Sequence, residues 1–235
     1  MSIRPETKMK SLAHRSSPLV AWGLLIGGTF FLVGGPMHPK QDPPGVSVKE
    51  HLRVMFEDPG WYASHVVLLV GTALIAVSLV ALARGRTLAH VPRAHAATVI
   101  AAVAASLAAP GMLLHLVSAS EADAIAAHDS TPLTDLQVIV ETITVPAFGF
   151  SIAALALIGA ATRTLGNPIT AVLGFGGGVG YGLAGATFLF TDQLNFLFPA
   201  ATGIALWAIA AGVGLLLRRR AAYEAVPGLD EPTPA

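Results

Sequence analysis

Cysteine is absent from all 235 residues. That excludes disulfides, thiolate metal sites, Cys-ligated iron–sulfur clusters and the covalent attachment of a c-type haem. Charge is scarce as well. Only 12% of residues are charged, roughly half the share usual in soluble domains, where it is about 25%. No nucleophile elbow, phosphate loop, H-E-x-x-H pair or rhodopsin-type lysine inside an apolar run occurs anywhere. With a formal net charge of zero, no nucleic-acid partner is expected.

What the chain has in quantity is apolar sequence. Mean hydropathy is +0.66 and 54% of residues are hydrophobic. A bilayer core of about 30 Å takes roughly 20 such residues per helical crossing. Six runs qualify, at 18–35, 61–83, 94–118, 136–161, 168–190 and 199–217, and none has Lys or Arg in its interior. The fold expected is all-α, a polytopic membrane protein with six transmembrane helices in one bundle. Residues 1–17 are expected to form an N-terminal tail, 18–217 the membrane domain, and 218–235 a disordered C-terminal tail. The basic residues before the first run resemble a signal sequence. The run is longer than a usual h-region, however, and no small-residue cleavage site closes it, so it reads as a retained first helix.

Charge is divided unevenly between the two ends of the spans. Alternation places both termini, the 84–95 turn and the 162–167 turn on one side, which then carries 11 of the 14 Lys and Arg. By the positive-inside rule both termini are expected in the cytoplasm. The opposite side begins with a long loop, 36–60. In it Ser47 and Glu50 form a capping-box pattern. Val48, Leu52, Met55 and Phe56 then repeat at helical spacing. A short amphipathic helix lying in the interface is the expectation. The acidic loop at 119–135 reads as a solvated face.

Ionisable side chains near membrane depth are costly and are usually tied to a task. Here His38, His65, His115, Glu141 and Asp192 all fall toward the side opposite the termini, and His51 lies on the loop helix. His65 and His115 sit at similar depth on adjacent antiparallel spans. Imidazoles placed so can ligate a metal ion or serve as the axial pair of a b-type haem. Glu141 suits a third ligand, a hydrogen-bond partner for a ligating histidine, or a proton carrier. His38 and His51 are placed to close the site from above, and Asp192 caps the fifth span. The metal-site candidates are therefore His38, His65, His115 and Glu141, with Asp192 and His51 secondary.

Span five carries Gly174, Gly178 and Gly182 at G-x-x-x-G spacing, and Gly23 and Gly27 repeat the step in span one. Small residues at this interval let two backbones approach closely. The stripe is expected to pack a neighbouring helix, a homo-oligomer or another membrane protein, and it could alternatively face a flat cofactor. Three readings of function follow. The first is a metal- or haem-binding membrane protein, the second a small proton-coupled transporter, and the third a non-catalytic scaffold. The sequence names no substrate.

Overall fold

The computed structural model describes residues 18–39, 45–191 and 193–224. Among these the secondary structure is helical: α1 Pro18–Met37, α2 Val48–Phe56, α3 Trp61–Arg84, α4 Pro92–Ser118, α5 Ala122–Ala126, α6 Pro132–Ala161, α7 Pro168–Thr187 and α8 Ala201–Glu224. Short 3-10 turns fill Arg86–Leu88, Ala119–Glu121 and Asn195–Ala200. Six helical segments are long and apolar enough to cross a membrane, those built on α1, α3, α4, α6, α7 and α8. The chain is a six-span helical bundle of membrane type, as its hydropathy pattern predicts. Lys40, Asp192 and the two chain ends lie outside the described residues.

Each span packs on its neighbours in sequence, and α8 returns to α1, so the six close into a ring. Buried Phe31, Phe148, Ile152 and Trp207 fill its middle, with Tyr181 edge-on to Phe31 at a centroid distance of 6.3 Å. Glycines decide how closely these helices cross. A Cβ on Gly71 of α3 would stand 2.7 Å from the Phe31 backbone nitrogen of α1, and one on Gly34 would stand 2.7 Å from the Leu68 side chain. On the next pair, a Cβ on Gly111 of α4 would reach 3.1 Å from Thr144 Oγ1 of α6. These crossings bring the ends of α1, α3, α4 and α6 together on the side away from the termini.

The span-five stripe is consumed inside the chain. A Cβ on Gly178 would collide with the Gly149 carbonyl and come within 2.8 Å of the Ala153 nitrogen, both backbone atoms of α6. Gly174 faces Ala156 and Trp207, while Gly182 faces the Phe150 ring. All three glycines are buried, so the surface expected to receive a partner or a flat cofactor is already covered by α6 and α8. Close backbone approach is what the spacing encodes. Whether the neighbour belongs to the same chain is not written in it.

At the other end of α6 sits a small cap. Helix α2 forms where its pattern predicts, with the Ser47 side chain accepting from the Glu50 backbone nitrogen. Its buried Leu52, Met55 and Phe56 pack with Trp61, Ala119, Ile125 and Val138 in a core separate from the ring. On its exposed face the Arg53 guanidinium bridges Glu50 and Glu57 at 2.6 Å each and holds the Glu50 carboxyl below its ordinary range. The acidic loop is more structured than a solvated face. Glu121 accepts from the Leu133 and Thr134 backbone nitrogens, capping the start of α6, and Lys49 pairs with Asp135 at 2.7 Å. A carboxylate at a helix N-terminus satisfies donors that have no partner within the helix.

Candidate metal centre

Three histidines from three helix ends meet beneath this cap. His38 follows the last turn of α1, where its backbone N–H returns to Gly34 O at 3.0 Å. His65 lies one turn into α3, and His115 lies near the end of α4. One ring nitrogen from each falls within 4.8 Å of the others. The His65 ring is 4.7 Å from that of His38 and 4.8 Å from that of His115, centroid to centroid. His65 is fully buried and His115 nearly so, at 0% and 7% exposure. A single ion could bridge nitrogens so placed. No ligand atom of Asp192 enters the description, and His51 stands outside the trio.

The contacts around the rings bear on which nitrogen each histidine can offer. His38 Nδ1 is 2.9 Å from Pro39 O, His65 Nδ1 is 2.7 Å from Trp61 O, and His115 Nδ1 is 2.5 Å from Glu141 Oε1. A carbonyl oxygen can only accept, so Nδ1 of His38 and of His65 carries the proton, while at His115 the Glu141 carboxylate draws a proton to Nδ1 and the Gln137 amide nitrogen competes for the same atom. That tautomer leaves the Nε2 lone pair on His38 and His65, the arrangement found in histidines that ligate metals. His65 Nε2 is buried and has no hydrogen-bond partner in the protein. A buried polar atom left in this state costs about 1–3 kcal/mol, which a bound cation would recover.

Glu141 belongs to the site through His115. Its second oxygen accepts from Gln137 Nε2 at 2.5 Å, and the same amide nitrogen lies 2.7 Å from His115 Nδ1. The carboxylate therefore sits on the far side of the His115 ring from Nε2. Of the ionisable residues singled out in the sequence, the structure gathers His38, His65, His115 and Glu141. It leaves His51 beside them, edge-on to Phe188 at 5.9 Å.

Gln137, Trp61 and Ser64 were not legible as site residues, although spacing holds a trace of two of them. Gln137 is one turn before Glu141 and Trp61 one turn before His65, positions that share a helix face. Trp61 both supplies the carbonyl that holds His65 and stacks its indole on that ring at 3.7 Å, with the two planes 28° apart. Ser64 Oγ lies 3.1 Å from His65 Nδ1. Trp61 Nε1 and Gln137 Oε1 are, like His65 Nε2, buried without a partner in the protein. Three such atoms thus stand around the histidines, and others lie away from them, at His95 Nδ1 and Trp207 Nε1.

Burial, reinforced by repulsion from nearby His115, pushes the His38 imidazole down from its usual 6.5 to about 4. It is neutral at pH 7, the form that ligates. In the unfolded chain the same ring takes up a proton below about 6.5. As the pH falls from that value toward 4, the unfolded state binds a proton that the folded state refuses, and stability drains away. Metal-free protein melted in detergent is expected to lose thermal stability over this window, and His38→Ala is expected to flatten that part of the profile. An unchanged slope in the variant would locate the acid sensitivity elsewhere.

Beneath Glu141 lies a cavity of about 10 Å³, bordered by Thr72, Gly111, Thr144 and Tyr181 among others. It offers room for about one water molecule. Further along the bundle the hydroxyls of Thr72, Ser78, Thr98 and Ser151 donate to backbone carbonyls of their own helices, at 2.7–2.9 Å. They are spoken for locally and do not link into a chain of polar groups.

Comparison with protein-family models, with curated proteins and with solved structures found no match.

Proposed function

We propose that the chain is a metal-binding membrane protein in which His38, His65 and His115 hold one divalent cation through their Nε2 atoms. Glu141 orients His115 from behind. The observation that carries this reading is the convergence of three imidazoles whose Nδ1 atoms are all engaged by oxygen. An all-nitrogen, thiolate-free set of this kind suits zinc, with copper and nickel the nearest competitors. Zinc takes nitrogen at about 2.0–2.1 Å in a tetrahedron, which asks for donors roughly 3.3 Å apart. A contraction of the trio from its present 4.8 Å spread is within reach of side-chain rotation. Three protein ligands leave a fourth position for water or substrate, the pattern of catalytic rather than structural zinc.

The geometry favours an ion over a b-type haem. Iron between two axial imidazoles sets their ring centres roughly 6 Å apart with a porphyrin between them. The His65 and His115 centres are 4.8 Å apart, with the Trp61 indole 3.7 Å and the His38 ring 4.7 Å from His65. The transporter reading loses support because the hydroxyls deeper in the bundle are bonded to their own helices. The scaffold reading loses support because the glycine stripe is occupied within the chain.

Metal analysis of the purified protein tests the proposal, with about one ion per chain expected and no Soret band. Glu141→Gln separates the orienting role from direct ligation. Loss of a partner behind a ligating histidine typically costs about 10–100-fold in metal affinity. The variant should therefore still bind zinc, more weakly by about that factor, in a competition titration with a chromophoric chelator. Complete loss of binding would make Glu141 a ligand in its own right.

The uneven distribution of Lys and Arg supports cytoplasmic termini and a site opening on the opposite face. Single cysteines placed at exposed Ser47 and Ala127 should then react with an impermeant thiol reagent applied to intact cells, and one at Ala89 should not. Labelling at Ala89 alone would reverse the orientation.

A further inference from the structure

The cavity beneath Glu141 is joined to the histidine cluster by a direct contact, since Glu141 both borders it and lies 2.5 Å from His115 Nδ1. Its volume of about 10 Å³ matches about one water molecule. Much of the wall is apolar, formed by Phe31, Met112, Val145 and Phe148. A void with such walls alone stays dry, whereas one offering roughly two to four polar partners holds water. Oxygens from three helices supply those partners. Glu141 and Thr144 come from α6, Tyr181 from α7 and Thr72 from α3.

Each of these oxygens has capacity to spare. An ionised carboxylate accepts about four hydrogen bonds. Glu141 uses one oxygen on His115 Nδ1 and the other on Gln137 Nε2, both at 2.5 Å, so each keeps a further lone pair. Thr72 donates its hydroxyl proton to Leu68 O at 2.8 Å and can still accept. Tyr181 Oη and Thr144 Oγ1 have no hydrogen-bond partner among the described residues. Thr144 is nonetheless buried, at 8% exposure. The Tyr181 ring is held edge-on by Phe31 and Phe198, at centroid distances of 6.3 and 6.0 Å. A phenol fixed among apolar rings strands its donor unless something in the cavity receives it.

We infer that a water molecule in this cavity bridges the Glu141 carboxylate to Tyr181 Oη and Thr144 Oγ1, which makes Tyr181 a positioning residue for His115. The two hydroxyls donate to the water. The water in turn donates to the carboxylate, with Thr72 Oγ1 open to its second proton. A hydrogen bond to an ionised group is stronger than a neutral one, so the bridge fixes the rotation of the carboxylate and of the ring it holds. The positioning role rests on the metal reading, because it acts on a proposed ligand. The bridge itself needs no ion.

The full chain in detergent is compared with Tyr181→Phe, which keeps the ring contacts and removes only the phenol oxygen. Zinc affinity, read by competition with a chromophoric chelator, should weaken by roughly 2–10-fold, the share of a single hydrogen bond. Thr144→Val should weaken it in the same sense, and stands in if the first variant does not fold. In a Glu141→Ala background, Tyr181→Phe should add nothing, because the phenol acts through the carboxylate. A crystal structure of the metal-free wild type, at a resolution that shows ordered water, tests the bridge directly. Density should lie within hydrogen-bond distance of both the Glu141 carboxylate and Tyr181 Oη, and Tyr181→Phe should lose it.

Equal weakening by Tyr181→Phe in both backgrounds would make the phenol a packing element and overturn the inference. Unchanged zinc affinity in that variant, or no density between the two oxygens, would also overturn it and leave the metal reading standing. Wild-type protein that binds no zinc yet shows the density would instead remove the metal reading and retain the bridge.

Discussion

Replacing His65 with alanine is expected to abolish the metal binding proposed for the histidine cluster. His65 is the central ring of the trio, lying within 5 Å of both partners by centroid distance, at 4.7 and 4.8 Å. It also carries the buried Nε2 that no protein group satisfies. Removing one of three ligands leaves two, too few for tight zinc binding against a chelator. His38→Ala and His115→Ala should behave alike, and the pair His65→Ala with His115→Ala should be no worse than the worse single variant. Residues that share one ion act as a unit and their effects do not add, whereas independent groups more than about 7–10 Å apart do add. Metal per chain, measured on each variant after dialysis, gives the answer. Small additive losses would mean three separate histidines and no shared centre.

Stability in detergent should show a comparably sharp contrast at two glycines two residues apart. Gly178→Leu places a branched side chain where even a Cβ would strike the Gly149 carbonyl and the Ala153 nitrogen. Those are backbone atoms, which cannot rotate aside, so α6 and α7 must separate. Overpacking typically costs about 1–3 kcal/mol and sometimes more. The upper end or beyond is expected here, because α6 and α7 form an extensive interface of the ring. Gly176→Leu is the control. Nothing lies within 4 Å of its Cβ position, and the residue is exposed. Its melting temperature should stay near wild type or rise slightly, since leucine is the better helix former. Equal effects at both positions would mean that glycine matters here through backbone flexibility rather than through contact.

Loss of the packing variant would also bear on the site. The same kind of close crossing operates between α1 and α3 at Gly71 and between α4 and α6 at Gly111. Without those approaches, His38 could not stand against His65, nor His115 against Glu141. The histidine cluster is thus a consequence of how small residues set helix separation, and its precision derives from the ring below it.

The six spans and the amphipathic helix after the first were legible in the amino-acid order, but not every boundary: α6 begins at Pro132 rather than 136, and α8 runs to Glu224, into the segment expected to be a disordered tail from 218. Hydropathy over 20 or so residues and the capping pattern at Ser47 are local properties that need no partner to be read. Shared depth alone was enough to single out His38, His65, His115 and Glu141. Depth is only one coordinate, however. Rotation of each helix about its axis, and which helix lies beside which, depend on packing among all six. Only the tertiary structure could place three rings within reach of one another, assign Glu141 to the back of His115, and bring in Gln137, Trp61 and Ser64. The glycine stripe shows the same division. Its spacing determined that some backbone would approach α7, but only the closed ring decided that the neighbours were α6 and α8 of the same chain, because burying the stripe internally satisfies the contact that an oligomer would otherwise supply.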